Sequence, residues 1–170
     1  IPPYSYAEDK AHNFRCCACH PKYAFVPQSI VLYRENLQSL TFRPKKDLMQ
    51  NWILLASDFE QFLKEKSLSR KYGDLIFFHL LIGAMYLAKE EMTYKGKKIR
   101  VVAKVLKKYH ANPFVKEKLT WKACVHYTAH IQSLFWKALA FTLVFFLQVH
   151  AYSILAAVLV LMSRLGIDSL

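Results

Sequence analysis

The chain has 170 residues, with 24 Lys or Arg against 12 Asp or Glu, and a net charge of +12. This length allows one membrane helix and one domain of about 110 to 135 residues, so we expect two parts. Carboxylates are few, and the sequence contains no phosphate-binding loop, G-x-S-x-G or H-E-x-x-H motif. We therefore expect a protein that is not an enzyme.

The N-terminal region, residues 1–45, has prolines at positions 2, 3, 21, 27 and 44. Proline interrupts helices, so the pattern predicts an irregular, extended arm that lies along a partner, with one short strand at 29–33. The first residue is Ile1 and no N-x-S/T site occurs. Together these favour a protein imported into an organelle, with a presequence removed.

Residues 46–112 are predicted to form a small, basic helical domain. Apolar residues at positions 48, 52, 55, 59 and 62 have the spacing of one helix face. The apolar stretch 75–88 would be about 21 Å long as a helix, which is short for a membrane span and favours a buried core helix or a membrane-surface helix. Residues 99–109 keep the spacing of a basic amphipathic helix, although a hairpin over 92–102 is an alternative.

One long helix is predicted over residues 113–163. Asn112 and Pro113 are a preferred N-cap and first-turn pair, and no strong helix breaker follows before Gly166. Residues 138–162 carry no formal charge, and this length matches the roughly 20 apolar residues of a membrane-spanning helix. We therefore expect a mainly α protein with a single transmembrane span and a short tail at 164–170.

Within this span, His150, Ser153 and Ala157 are spaced to share one narrow helix face that is polar and small. Polar groups at mid-membrane need partners, and small residues let a second backbone approach. The pattern predicts a contact with a neighbouring membrane helix. For His150 the alternatives are an axial haem ligand or a proton-relay group.

The basic residues are concentrated just before the predicted span. Residues 95–122 contain ten Lys or Arg against one acid, a net charge of +9. The positive-inside rule then places the N-terminal domain on the matrix side of an inner membrane. Anionic lipid such as cardiolipin, an acidic partner subunit or, less favoured, RNA would bind the cations of this stretch. The residues predicted to bind lipid or partner are Lys97, Lys98, Arg100, Lys104, Lys107 and Lys108, on and just before the predicted amphipathic helix.

Residues 16–20 satisfy the pattern C-x-x-C-H, which resembles the haem-attachment motif of c-type cytochromes over these five residues only. In that alternative Cys16 and Cys19 bind the haem vinyl groups and His20 binds the iron. Zinc is a second alternative, with Cys16 and Cys19 completed by His126 and His130. Disulfides or free thiols are equally open.

These features together predict a non-catalytic accessory subunit of a large mitochondrial inner-membrane complex, of the respiratory electron-transport chain or ATP synthase. Its partners would be other membrane-embedded subunits and anionic lipid. The alternatives are a membrane-tethered c-type haem electron carrier and a lipid- or RNA-binding membrane tether.

Overall fold

The computed structural model describes residues 8–19 and 47–166, and this part of the chain is 84% helical with no strands. The mainly α class is confirmed. The strand predicted at 29–33 lies outside the described residues. The helices are α1 (Glu8–Cys19), α2 (Leu48–Glu65), α3 (Ser69–Lys95), α4 (Ile99–His110), α5 (Pro113–Lys118), α6 (Trp121–Thr128), α7 (Leu134–Gln148) and α8 (Tyr152–Arg164).

The first helix corrects the prediction of an irregular arm over residues 8–19. This segment contains no proline, and it packs against α2. Phe14 stacks on Phe59 with ring centroids 4.0 Å apart, and Arg15 forms an ion pair with Asp58 at 2.7 Å. Apolar contact with α2 stabilises a helix that the local pattern did not predict. The rest of the predicted arm lies outside the described residues.

The helices predicted in the central region are confirmed. The apolar face predicted from position 48 onward is the buried face of α2, and the stretch 75–88 lies inside α3. Residues 99–110 form α4 and not a hairpin, with Val102, Leu106 and Tyr109 fully buried on one side. The apolar pattern is enough to predict these helices from the sequence, because each of them packs one side against the core.

Gly83 permits a close approach of three helices. Trp52 on α2 donates its indole N–H to the His79 carbonyl at 2.9 Å, and Tyr109 on α4 donates its hydroxyl to the Leu80 carbonyl at 2.8 Å. A Cβ at Gly83 would collide with the Trp52 ring and lie 2.8 Å from the Tyr109 hydroxyl. The missing side chain therefore leaves room for both aromatic groups to reach the backbone of α3.

The prediction of one helix over 113–163 is wrong, because the segment folds as four helices. Asn112 caps α5 as predicted, its side chain accepting from Phe114 N. The chain then restarts twice behind new N-caps: Thr120 accepts from Ala123 N, and Ser133 accepts from Trp136 N. Side-chain oxygens at these positions accept hydrogen bonds from the free N–H groups at the start of a new helix. Ending one helix and starting the next therefore costs little free energy.

A third break, at His150, divides the predicted span 138–162. His150 has a φ of 57°, its N–H donates to the Leu147 carbonyl, and the Ala151 N–H donates to the Phe146 carbonyl. This is a Schellman C-cap with histidine in the position that glycine usually occupies. Among the described residues no helix is both long enough and apolar enough to cross a membrane, so the predicted single span is wrong.

After this turn α8 runs antiparallel to α4. The Lys97 ammonium, just before α4, donates to the Ser163 carbonyl near the end of α8. At the other end, the His110 ring lies 3.1 Å from the Tyr152 hydroxyl. The C-terminal helices therefore pack back on the central helices. α8 ends at Arg164, and Gly166 follows with a φ of 69°, as the predicted end signal requires.

We expect Gly83→Ala to lower the free energy of unfolding by about 1–3 kcal/mol, because the added methyl group overpacks the contact with Trp52. Gly73→Ala is the control in the same helix. Its Cβ would lie 3.4 Å from the Tyr127 hydroxyl, an ordinary contact, and alanine favours helix by up to about 1 kcal/mol. Urea unfolding measures the free energy of unfolding of both variants. Equal destabilisation by the two substitutions would contradict the role of Gly83.

The αL conformation of residue 150 makes a second prediction. His150→Gly should be more stable than His150→Ala by about 1 kcal/mol, because only glycine adopts a positive φ without strain. Neither variant keeps the imidazole, so the difference isolates the backbone. Thermal unfolding of the two variants would measure it. If His150→Ala is as stable as His150→Gly, the positive φ is contradicted; in a continuous helix alanine would be the more stable variant by up to about 1 kcal/mol.

Candidate functional site

Exposed large hydrophobic side chains are concentrated on and next to α7 and α8. We call six of the exposed large hydrophobic residues on or next to these helices the C-terminal apolar surface, and their exposed fractions lie between 48% and 80%. They are Leu134, Phe145, Val149, Ile154, Leu161 and Leu165. On each helix they follow one outward face, opposite the buried residues of the same helix. Large contiguous apolar patches on monomers are rare and mark interaction surfaces.

Aromatic residues extend this surface toward α6. Trp121 is half-exposed, and its ring contacts Phe141 at 5.2 Å and Phe145 at 6.5 Å between centroids, both edge-on. Tryptophan on such a surface offers a large contact area together with an N–H donor, a combination favoured in protein interfaces and at membrane surfaces.

The basic face of α4 lies beside α8. The six cations predicted as a lipid or partner site are all exposed in the structure. Lys97 is anchored by its hydrogen bond to the Ser163 carbonyl, whereas Arg100, Lys104 and Lys107 project from the side of α4 that faces away from the buried Leu106. α4 and α8 are antiparallel neighbours, so the helix with the basic exposed face packs against a helix with an apolar exposed face.

The predicted membrane contact of His150, Ser153 and Ala157 is altered by the turn. Ser153 and Ala157 remain one helical turn apart on α8, with Ser153 exposed and Ala157 half-buried. His150 lies outside that helix, so the three residues do not form one continuous helix face. Its exposed imidazole instead lies 2.7 Å from the Tyr152 hydroxyl.

His150 belongs to a small polar cluster with Tyr152 and His110. His110 is 2% exposed, its Nδ1 faces the same hydroxyl at 3.1 Å, and its Nε2 is buried without a hydrogen-bond partner in the described residues. The Tyr152 hydroxyl can donate its proton to only one of the two imidazoles. The other imidazole must therefore donate an N–H to the hydroxyl oxygen. Burial, followed by the nearby His150 and Lys116, lowers the pKa of His110 and favours its neutral form.

The proposed zinc ligands are not brought together. Cys16 and Cys19 are exposed on α1, where the Cys16 thiol lies 3.5 Å from the His12 ring. His126 lies on α6 and His130 in the turn beyond it. Within residues 8–19 and 47–166, no group of three or more His, Cys, Asp or Glu side chains is placed to hold a metal ion.

Cationic neighbours weaken the case for a metal at the histidine pair further. Arg70 and Lys71 line the same surface hollow as His126 and His130, together with Asp74. Two fixed positive charges oppose the binding of a metal cation.

Of the predicted haem residues, Cys16 and Cys19 are exposed thiols and His20 lies outside the described residues, so haem attachment stays a prediction. Cys124 is fully buried, and burial raises the pKa of its thiol to about 11. It is a neutral core side chain and a poor ligand or nucleophile at pH 7.

His79 is held in the core by a reciprocal contact with Trp52. The two rings stack with centroids 4.7 Å apart, and the His79 Nε2–H donates to the Trp52 carbonyl at 3.3 Å. Burial, with a smaller effect of Lys10, lowers the pKa of His79 to about 4. The ring is neutral at pH 7 and its role is structural.

The fold and these surfaces define an all-helical protein, in its described part, with an exposed apolar face on α7 and α8 and an exposed basic face on the neighbouring α4. Comparison with known proteins finds no matching family, no similar curated protein and no similar solved structure.

The depressed pKa of His79 predicts acid destabilisation. Between pH 6.5 and 4 the unfolded chain binds a proton at residue 79 that the folded chain does not, so the free energy of unfolding falls as the pH falls. The loss attributable to His79 is up to about 3 kcal/mol. His79→Phe keeps a ring against Trp52 without a titrating group. A urea midpoint that changes equally with pH in both proteins would exclude this role for His79.

Proposed function

We propose that this protein is a non-catalytic subunit of a larger membrane-associated assembly and that the C-terminal apolar surface is where it docks on partner subunits. The exposure of its six large hydrophobic residues carries the proposal. Each would lose contact with water in a complex, and burying one such side chain contributes about 1.5–3 kcal/mol. The fold supplies a rigid base, because the opposite faces of α7 and α8 are packed in the core.

The basic face of α4 supports the second part of the proposal, which is contact with an anionic bilayer such as one containing cardiolipin. Lysine and arginine near such a surface contribute about 1 kcal/mol each. Arg100, Lys104 and Lys107 are exposed together beside α8, so one side of the molecule can meet both lipid headgroups and apolar partner surface. RNA binding would use the same cations and is an outcome of the test below.

The proposed location is the mitochondrial inner membrane, within a respiratory-chain complex or the ATP synthase. The strongly basic composition, with a net charge of +12, suits a surface of anionic lipid. Membrane association in this proposal comes from partner subunits and from lipid headgroups, and a single-pass topology is not part of it.

The test compares assembly of variants in mild detergent. Replacing Ile154 and Leu161 by Glu should reduce recovery of the large complex about tenfold or more, since a loss of about 1.4 kcal/mol in association gives this factor. Leu75→Glu places one glutamate on an exposed hydrophobic position of α3, outside the C-terminal apolar surface, and should assemble normally, whereas Ile154→Glu alone should already reduce recovery. Circular dichroism checks that all variants are folded.

A wild-type protein that elutes as a solitary monomer would contradict the proposal. For the basic face, replacing Arg100, Lys104 and Lys107 by Gln should abolish binding to vesicles containing cardiolipin and leave assembly intact. If these substitutions abolish only a salt-sensitive binding to RNA, the lipid assignment is wrong.

A further inference from the structure

An apolar groove follows one face of α3 and is lined by residues that the sequence analysis did not connect. Two hollows with volumes of about 230 and 280 Å³ share Ile82 and Met85. One extends toward α7, where Trp136 and Leu143 line it. The other extends toward α1, α2 and α8, where Trp52 and Met162 line it. The two hollows therefore adjoin on the outer side of α3.

The groove is long and narrow. On α3 its lining begins at Phe78 and ends at Met92, and these positions recur at helical spacing on one face. Fourteen residue steps at 1.5 Å give a length of about 21 Å. The floor is one helix face wide, which fits a single extended hydrocarbon chain better than a broad ring system. Met85, Met92 and Met162 supply flexible side chains that adapt to such a chain.

Among the described residues that line the groove, the charged side chains are both lysines and both lie at one end. Lys10 and Lys89 line the hollow near Trp52, and the Lys10 ammonium lies 4.7 Å from the centre of the Trp52 ring. The lining of the opposite hollow, near Trp136, contains no charged residue. A ligand that complements this surface has an anionic head and a long apolar tail.

We propose that the groove binds a long-chain fatty acid, with the carboxylate at Lys10 and Lys89 and the tail running past Ile82 toward Trp136. The lysines attract the carboxylate, and the walls remove the hydrocarbon from water. A neutral lipid would gain nothing from the charged end, and a peptide would leave backbone groups unpaired against apolar walls. The groove and the C-terminal apolar surface are different sites, so this inference does not depend on the proposed function.

The orientation of the ligand is tested with brominated stearate, because bromine quenches nearby tryptophan fluorescence. The chain has three tryptophans, and Trp121 lines neither hollow. In Trp121→Phe/Trp136→Phe the remaining Trp52 should be quenched more by stearate brominated beside the carboxylate than by stearate brominated near the methyl end. In Trp121→Phe, which retains Trp136, the methyl-end bromine should quench additionally.

Affinity is tested with unlabelled stearate in the full chain, below the concentration at which micelles form. Ile82→Glu places a charge at the junction of the hollows on an exposed position and should weaken binding about tenfold or more. Ile154→Glu is the matched control on the C-terminal apolar surface, since both isoleucines are about half-exposed. It should leave the affinity unchanged.

The head group is tested with Lys10→Gln/Lys89→Gln. This variant should bind stearate about fivefold or more weakly, and stearyl alcohol as well as the wild type does, because only the carboxylate carries charge. Equal quenching by both bromine positions, or equal loss in Ile82→Glu and Ile154→Glu, would show non-specific adsorption and overturn the proposal. Loss of complex assembly in Ile154→Glu with normal stearate binding would separate this site from the docking surface.

Discussion

Two aromatic side chains reach the backbone of α3 on either side of one missing Cβ, and the arrangement of the central helices depends on this contact. Trp52 and Tyr109 hydrogen-bond to adjacent carbonyls of α3, and Gly83 leaves the space for both. Close approach is possible only because both polar atoms find acceptors, since a buried indole or hydroxyl without a partner is costly. Helices α2 and α4 are thereby fixed on α3, with α4 available to receive α8.

The functional surfaces follow from that arrangement. With α4 fixed, α8 lies antiparallel to it, so a helix with a basic exposed face and a helix with an apolar exposed face are neighbours. The same packing leaves the outer side of α3 open as a groove with lysines at one end. Charge and apolar area therefore occur in adjoining positions, a combination that suits partners and ligands carrying both an anionic and a hydrocarbon part.

Helix propensity and periodicity were enough to locate α2, α3 and α4 and the start of α5, because those signals are local. The two N-caps Thr120 and Ser133 could have been found in the sequence, since Ser and Thr commonly precede helices. The turn at His150 could not, because histidine is an unusual residue for an αL position. In a stretch without charge, the apolar pattern of two packed helices resembles that of one membrane span.

What the sequence by itself determined was the helical class, the basic character of residues 95–122 and the absence of familiar catalytic motifs. Only the tertiary structure decided that the apolar C-terminal stretch folds back on α4, that Cys16 and His126 do not share a metal site, and that Lys10 joins Lys89 at one groove. The physical reason is that hydrophobic burial has no direction. The sequence shows which side chains are hydrophobic, whereas the packing of helices distant in the chain decides which of these side chains are buried and which remain exposed.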